Sequence, residues 1–106
     1  ASYLSEEKLK ELPKGALRGF PRVCPDFVVE LLSESDRLQD LQNKMDSWIA
    51  NGAQLGWLID PYDRQVFVYR PGRPPECVKR KAELVGEGPV DGFVLDLRMV
   101  WECHQD

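Results

Sequence analysis

Apolar and polar positions along the chain fall into blocks whose period changes, and each change marks an element. Asp26 to Leu32 (DFVVELL) is apolar at nearly every position and rich in valine. That pattern predicts a central strand covered on both faces. Glu30 breaks it: on a period of two this carboxylate shares a face with Asp26, Val28 and Leu32, and a charge inside an apolar strand is costly unless it is paired or binds a cation. Beyond the strand the period lengthens. Leu38, Leu41, Met45, Trp48 and Ile49 recur at helical spacing, which predicts a helix from about Arg37 to Ala50 with one buried stripe. Ser33 to Asp36 reads as a turn and helix cap, and Asn51-Gly52 as the stop, glycine suiting the left-handed position after a helix. Leu55 to Asp60 (LGWLID) predicts a second buried strand. Pro61 to Arg64 is a turn, and Gln65 to Tyr69 (QVFVY) completes a hairpin.

The flanks are less regular. Ser5-Glu6-Glu7-Lys8 predicts a short helix, ended by Pro13 and Gly15, and Gly15 to Pro25 a loop. Arg70 to Pro75, with three prolines and a glycine, is a loop; Cys77 to Val85 fits neither strand nor helix cleanly; Val90 to Leu97 is a short apolar run, with Val100-Trp101 packing at the end. The order helix, strand, helix, strand, strand is that of an α/β fold, its first two strands parallel through a helical crossover. At 106 residues, without repeats or a long linker, a single domain over residues 1–106 is expected.

Composition narrows the classes. Hydrophobic residues make up 42%, charged residues 30%, and the net charge is -4. A modest core can form, and the charge gives no footprint of a protein that coats nucleic acid, although an acidic chain can still gather its basic residues at a cleft. Cys24, Cys77 and Cys103 are odd in number and none lie in a CxxC pair. Neither a disulfide framework nor a zinc site is expected, and reduced thiols suit a cytoplasmic protein. No apolar run approaches the ~20 residues that cross a membrane.

Three residues carry candidate chemistry: Asp26, Glu30 and Lys44. Phosphodiester hydrolysis uses carboxylates that hold Mg²⁺ and a cation that orients water or offsets charge building on the phosphate. Glu30 suits a metal ligand. Lys44 lies roughly 90° from the centre of the helix stripe, from where a long side chain reaches across the sheet. Each has a plainer alternative. Lys44 could be a solvated helix lysine, Asp26 a turn residue, and Glu30 one half of a structural salt bridge with Arg37 or Arg22. His104, the lone histidine, sits in a polar tail and is read as inert. Gly86, Gly88 and Gly92 match no phosphate loop, and Trp48, Trp57 and Trp101 are read as core. Arg70, Arg73, Lys79, Arg80 and Lys81 are either a solvated face or phosphate contacts.

The segment PDFVVELLSESD, a helix carrying Lys44, then NGAQLGWLIDPYDRQVFVYRPG and a later GFVLDLRMVW, resembles a large restriction-endonuclease family of the PD-(D/E)XK nuclease superfamily. The resemblance covers roughly Ala1 to Trp101. It implies a restriction-endonuclease-like core with a central mixed β-sheet flanked by helices, and a Mg²⁺- or Mn²⁺-dependent endonuclease acting on DNA. Glu30 then matches the acidic residue of the third motif. Leu32 stands where E-x-K would place lysine, and that lysine is carried on the following helix as Lys44. The family's first strand bears an R-P-D motif whose aspartate binds metal, and in related chains that aspartate directly precedes the equivalent of ASYLS. The expectation is therefore a C-terminal portion of the domain, with Glu30 and Asp26 as metal ligands and little cleavage by itself. The alternative is a non-catalytic scaffold, binding or dimerisation module on the same fold, and a homodimer is expected from uncovered sheet surface.

Overall fold

The computed structural model describes residues 17–18 and 26–103. The expected helix near Ser5, most of the loop expected from Gly15 to Pro25, Cys24 and His104 lie outside them; Leu17 and Arg18, expected within that loop, form a short strand instead because they pair with Leu95 and Val94 far along the chain. In chain order the elements are β1 (Leu17–Arg18), β2 (Phe27–Leu31), α1 (Leu38–Ala50), β3 (Leu55–Asp60), β4 (Gln65–Tyr69), β5 (Glu76–Lys79), β6 (Glu83–Val85), a 3₁₀ turn (Gly88–Val90), β7 (Val94–Asp96) and α2 (Leu97–Cys103).

The four-stranded mixed sheet has the order β2-β3-β4-β5. Strands β2 and β3 are parallel, with Glu30 opposite Leu58, and α1 makes the crossover. Strands β3 and β4 form the expected hairpin, with Leu58 opposite Phe67. Every residue of β2 is buried, as its apolar run requires, yet among the described residues β2 closes one end of the sheet order and is not a central strand. A second sheet, β1-β7-β6, is antiparallel throughout.

Pleating divides the side chains of the main sheet between two cores. On one face Val28, Leu32, Leu58 and Tyr69 meet Leu41 and Met45 of α1. The helix approaches closely at Gly56, where a Cβ would lie 2.5 Å from the Met45 methyl. The opposite face, from Phe27, Val29, Trp57, Ile59, Val66 and Val68, packs on Leu84, Phe93, Leu95, Val100 and Trp101. Trp57 joins the two sheets. It sits edge-on to Phe27 at 5.0 Å and stacks on Phe93 at 5.6 Å.

Local chemistry sets the helix ends. Gly52 takes φ 110°, and Ala53 N–H donates to Trp48 O while Gly52 N–H donates to Ile49 O, the pairing that closes a helix around a left-handed residue. At the start the expected cap is absent. Arg37 occupies that position without a side-chain bond, because the Asp36 carboxylate folds back to accept from Ser33 N–H and Oγ–H at 2.9 and 2.7 Å.

Cys77 to Val85 resolves into β5, a turn and β6, and Val90 to Leu97 into the end of the 3₁₀ turn, β7 and the first residue of α2. Cys77 is a free thiol. No described helix is long and apolar enough to cross a membrane.

Of the basic stretch after the hairpin, Arg70 is already engaged. Its guanidinium donates to both oxygens of Glu87, at 2.7 and 2.9 Å, and to Glu76 at 3.1 Å. This clamp borders a cavity of about 200 Å³ beside Trp57 and Leu84. The Arg70 hydrogen bond holds the Glu87 carboxyl below its ordinary range. A depressed folded pKa gives stability that is present above the unfolded value, near 4.3, and lost as pH falls through the folded one. Wild type should therefore melt above Glu87→Ala at pH 7, and the gap should close as pH falls below the unfolded value and through the folded one. The gap stays under about 1 kcal/mol because Glu87 is half exposed. Thermal melts across pH check this, and a gap that persists at pH 3 would mean that packing, not charge, holds the loop.

Candidate active site

Glu30 is the fourth residue of β2, one short of the strand's C-terminal end, and points to the α1 face between Val28 and Leu32. Only 5% of its side chain is exposed. Lys44 leaves the exposed flank of α1, one residue before the buried Met45, and its Nζ lies 3.2 Å from Glu30 Oε2. Half of the lysine side chain is exposed, so its stem runs along the helix flank and its amine reaches the buried carboxylate from the solvent side. The helix crossover makes this meeting possible by bringing α1 back over β2. The structure pairs Glu30 with Lys44; of the two arginines named from sequence as its salt-bridge partners, Arg37 is exposed at the start of α1 and Arg22 lies outside the described residues.

Asp26 is not gathered into this pair. It sits at the turn before β2 with an exposed side chain, its backbone carbonyl accepting from Gln54 N–H and Leu55 N–H. Four residues of extended chain place it up to about 13 Å from Glu30. The period-two pattern put both on one face but carried no information on depth.

The sequence pass singled out neither Asp60 nor Gln65, which are buried at the end of β3 and the start of β4. Asp60 lies two residues beyond Leu58, hence on the face of Glu30. Its carboxylate is occupied: Oδ1 accepts from Tyr62 N–H and Asp63 N–H at 3.0 and 3.3 Å, and Oδ2 from Gln65 Nε2–H at 2.9 Å. It shapes the β3–β4 turn. The signal for it was the Asp-Pro step ahead of a hairpin. Tyr69, on the same face, has its phenol pushed up to about 12 by burial and then by the Asp46 charge, so it stays neutral at physiological pH.

A buried carboxylate beside an amine has the donor chemistry of a hard-cation site in kind, since Mg²⁺ takes carboxylate oxygens and completes its shell with water and phosphate. In number the described residues supply only part of such a site: no group of three His, Cys, Asp or Glu side chains among them could hold a metal ion.

Comparison with known proteins identifies the family. The model of the Uma2 family, described as putative restriction endonuclease, matches residues 1–98. Among solved structures the chain is similar to a putative nuclease belonging to DUF820 from Anabaena variabilis, with a TM-score of 0.64 and 28% identity. The match covers 76% of this chain and 45% of that one, so the chain spans less than half of that protein's length. No curated protein matches.

Proposed function

The chain belongs to the Uma2 restriction-endonuclease family, and from that premise we propose that it is the part of a divalent-metal-dependent DNA endonuclease that carries Glu30 and Lys44. The observation that supports this reading is the 3.2 Å approach of Lys44 Nζ to the buried Glu30 carboxylate. Catalytic groups have to converge on one reacting centre, and these two do so from different elements.

Glu30 is the residue that would hold Mg²⁺ or Mn²⁺. The chemistry such a cation supplies is neutralisation of charge on the phosphoryl oxygens. Lys44 places a positive charge at the mouth of the site, where it can orient water or stabilise the negative charge that grows on the phosphate. Burial of Glu30 raises the strength of both effects, because charges are screened less where water is excluded and the effective dielectric is lower. Asp26 would contribute from the rim as an outer negative charge. One inner carboxylate leaves a cation loosely held, so we expect weak binding and slow cleavage for residues 1–106 assayed alone.

Calorimetric titration with Mn²⁺ tests the ligand assignment. The expected result is one weak site in the wild type that disappears in Glu30→Gln. Parallel assays with Mg²⁺ and plasmid DNA, on the chain and on a longer form carrying an upstream R-P-D segment, should show cleavage that Glu30→Gln and Lys44→Met both remove. Unchanged Mn²⁺ binding in Glu30→Gln would move the metal site elsewhere. Absence of cleavage in the longer form would favour the scaffold reading, in which the fold mediates binding or dimerisation.

A further inference from the structure

We propose that Arg64 and Arg80 form a contact site for the phosphate backbone of duplex DNA, separate from the Glu30–Lys44 pair. Among the described residues these are the two non-glycine positions with positive φ, at 51° and 54°. Arg64 ends the β3–β4 turn and Arg80 directly follows β5. They are neighbours in space: Arg80 N–H donates to Arg64 O at 2.8 Å. A left-handed backbone costs an L-residue roughly 1–2 kcal/mol, and glycine or asparagine normally occupies such turn positions. The backbone thus gains nothing from arginine at either place. What both positions share is an exposed arginine, and strained backbone positions cluster where a side chain is used for binding.

The surroundings fit a polyanion. Arg64 lines an open cavity of about 230 Å³ with Arg98, Trp101 and Glu102. Arg98 is partly neutralised by Asp96 at 3.4 Å, and Glu102 and the neighbouring Asp63 are acidic, so among the described residues the free positive charge here rests on Arg64 and Arg80, with Lys79 next to Arg80 in the chain, on a chain whose net charge is -4. Arginine forks bind phosphate bidentately and position a duplex without reading its sequence. The site lies at the end of the sheet where β2 and β3 finish, the same end as Glu30. Three strand spacings from β2 to β5 amount to about 14 Å, close to the rise of four base pairs at about 3.4 Å each. One duplex laid along this edge would meet both places.

The choice of DNA rests on the nuclease reading, and the experiment keeps the two apart. A short fluorescein-labelled duplex is titrated with the wild type and with Arg64→Gly/Arg80→Gly in EDTA over a series of KCl concentrations, followed by anisotropy. Glycine suits both backbone positions, so the variant should melt at or above the wild-type temperature. Affinity at low salt should fall at least about tenfold, and the slope of log K against log salt should drop by about two, near one for each lost phosphate contact. Equal affinity and slope in the two proteins would overturn the inference, and so would a wild type that binds no duplex. If the wild type binds through these arginines but the longer form fails to cleave with Mg²⁺, the nuclease reading falls and the arginine site stands. Cleavage that Glu30→Gln abolishes, together with unaltered duplex binding by the double-arginine variant, has the opposite meaning.

Discussion

Trp57→Ala should bring the chain close to unfolding at room temperature. The side chain is 1% exposed, sits in the sheet centre, and packs against Phe27 and Phe93. Removing a buried tryptophan costs about 3–5 kcal/mol, since the cavity adds to the lost transfer energy. Small domains have only about 5–15 kcal/mol in total. The loss here reaches beyond one site, because Phe93 belongs to the segment that leads into β7, so the contact between the two sheets loosens as well. Urea unfolding should show the midpoint falling by at least about 1 M at an unchanged slope near 1–3 kcal/mol/M. The exposed Tyr62 supplies the contrast, as Tyr62→Ala should stay within about 0.5 kcal/mol of wild type. A midpoint for Trp57→Ala within that same range would mean that the two sheets are held together by other contacts.

The second large effect separates Glu30 from Lys44. Glu30→Leu replaces a 5%-exposed carboxylate in an apolar strand by a residue that the strand pattern itself would choose. Removing one partner of a buried pair is costly when the other charge stays buried, but the half-exposed Lys44 regains water, so losing the Glu30 charge should be neutral or stabilising by about 1–4 kcal/mol. Lys44→Met removes the cation next to that carboxylate and leaves its charge in place. That should cost about 1–3 kcal/mol, less than for a fully buried pair because the lysine is half exposed. Both variants should lose cleavage in the longer form. Stability that rises while activity vanishes identifies a residue kept for chemistry at the expense of the fold. Thermal and urea unfolding of the two single variants decide it: a Glu30→Leu protein less stable than wild type by more than about 2 kcal/mol would make Glu30 a structural residue, as a scaffold would have it.

Much of the main sheet could be read from the pattern alone. DFVVELL, the helix stripe and the LGWLID–QVFVY hairpin all follow from local periodicity, and each came within about one residue of its observed bounds. The same periodicity put Lys44 on the flank that meets Glu30. What escaped notice depends on contacts distant in sequence. Strand β5 is exposed except at the partly buried Val78, and β6 and β7 are three residues each, too short to show a period and paired only through the tertiary fold. Asp36 was misplaced as a helix cap because its composition suits a cap and a turn equally, and the geometry of Ser33 settled between them. Asp26 illustrates a different gap: alternation gives the face of a residue but not whether the chain has already risen to the surface there.

The second sheet has a consequence for how the chain is made. Leu17 of β1 pairs with Leu95 of β7, so β1 leaves the ribosome and then waits for a partner 78 residues behind it. At synthesis rates of about 5–20 residues per second the delay is about 4–16 s. The hairpin of β3 and β4 closes within microseconds of its own emergence, so the mixed sheet has its local pairings while β1 still lacks its own.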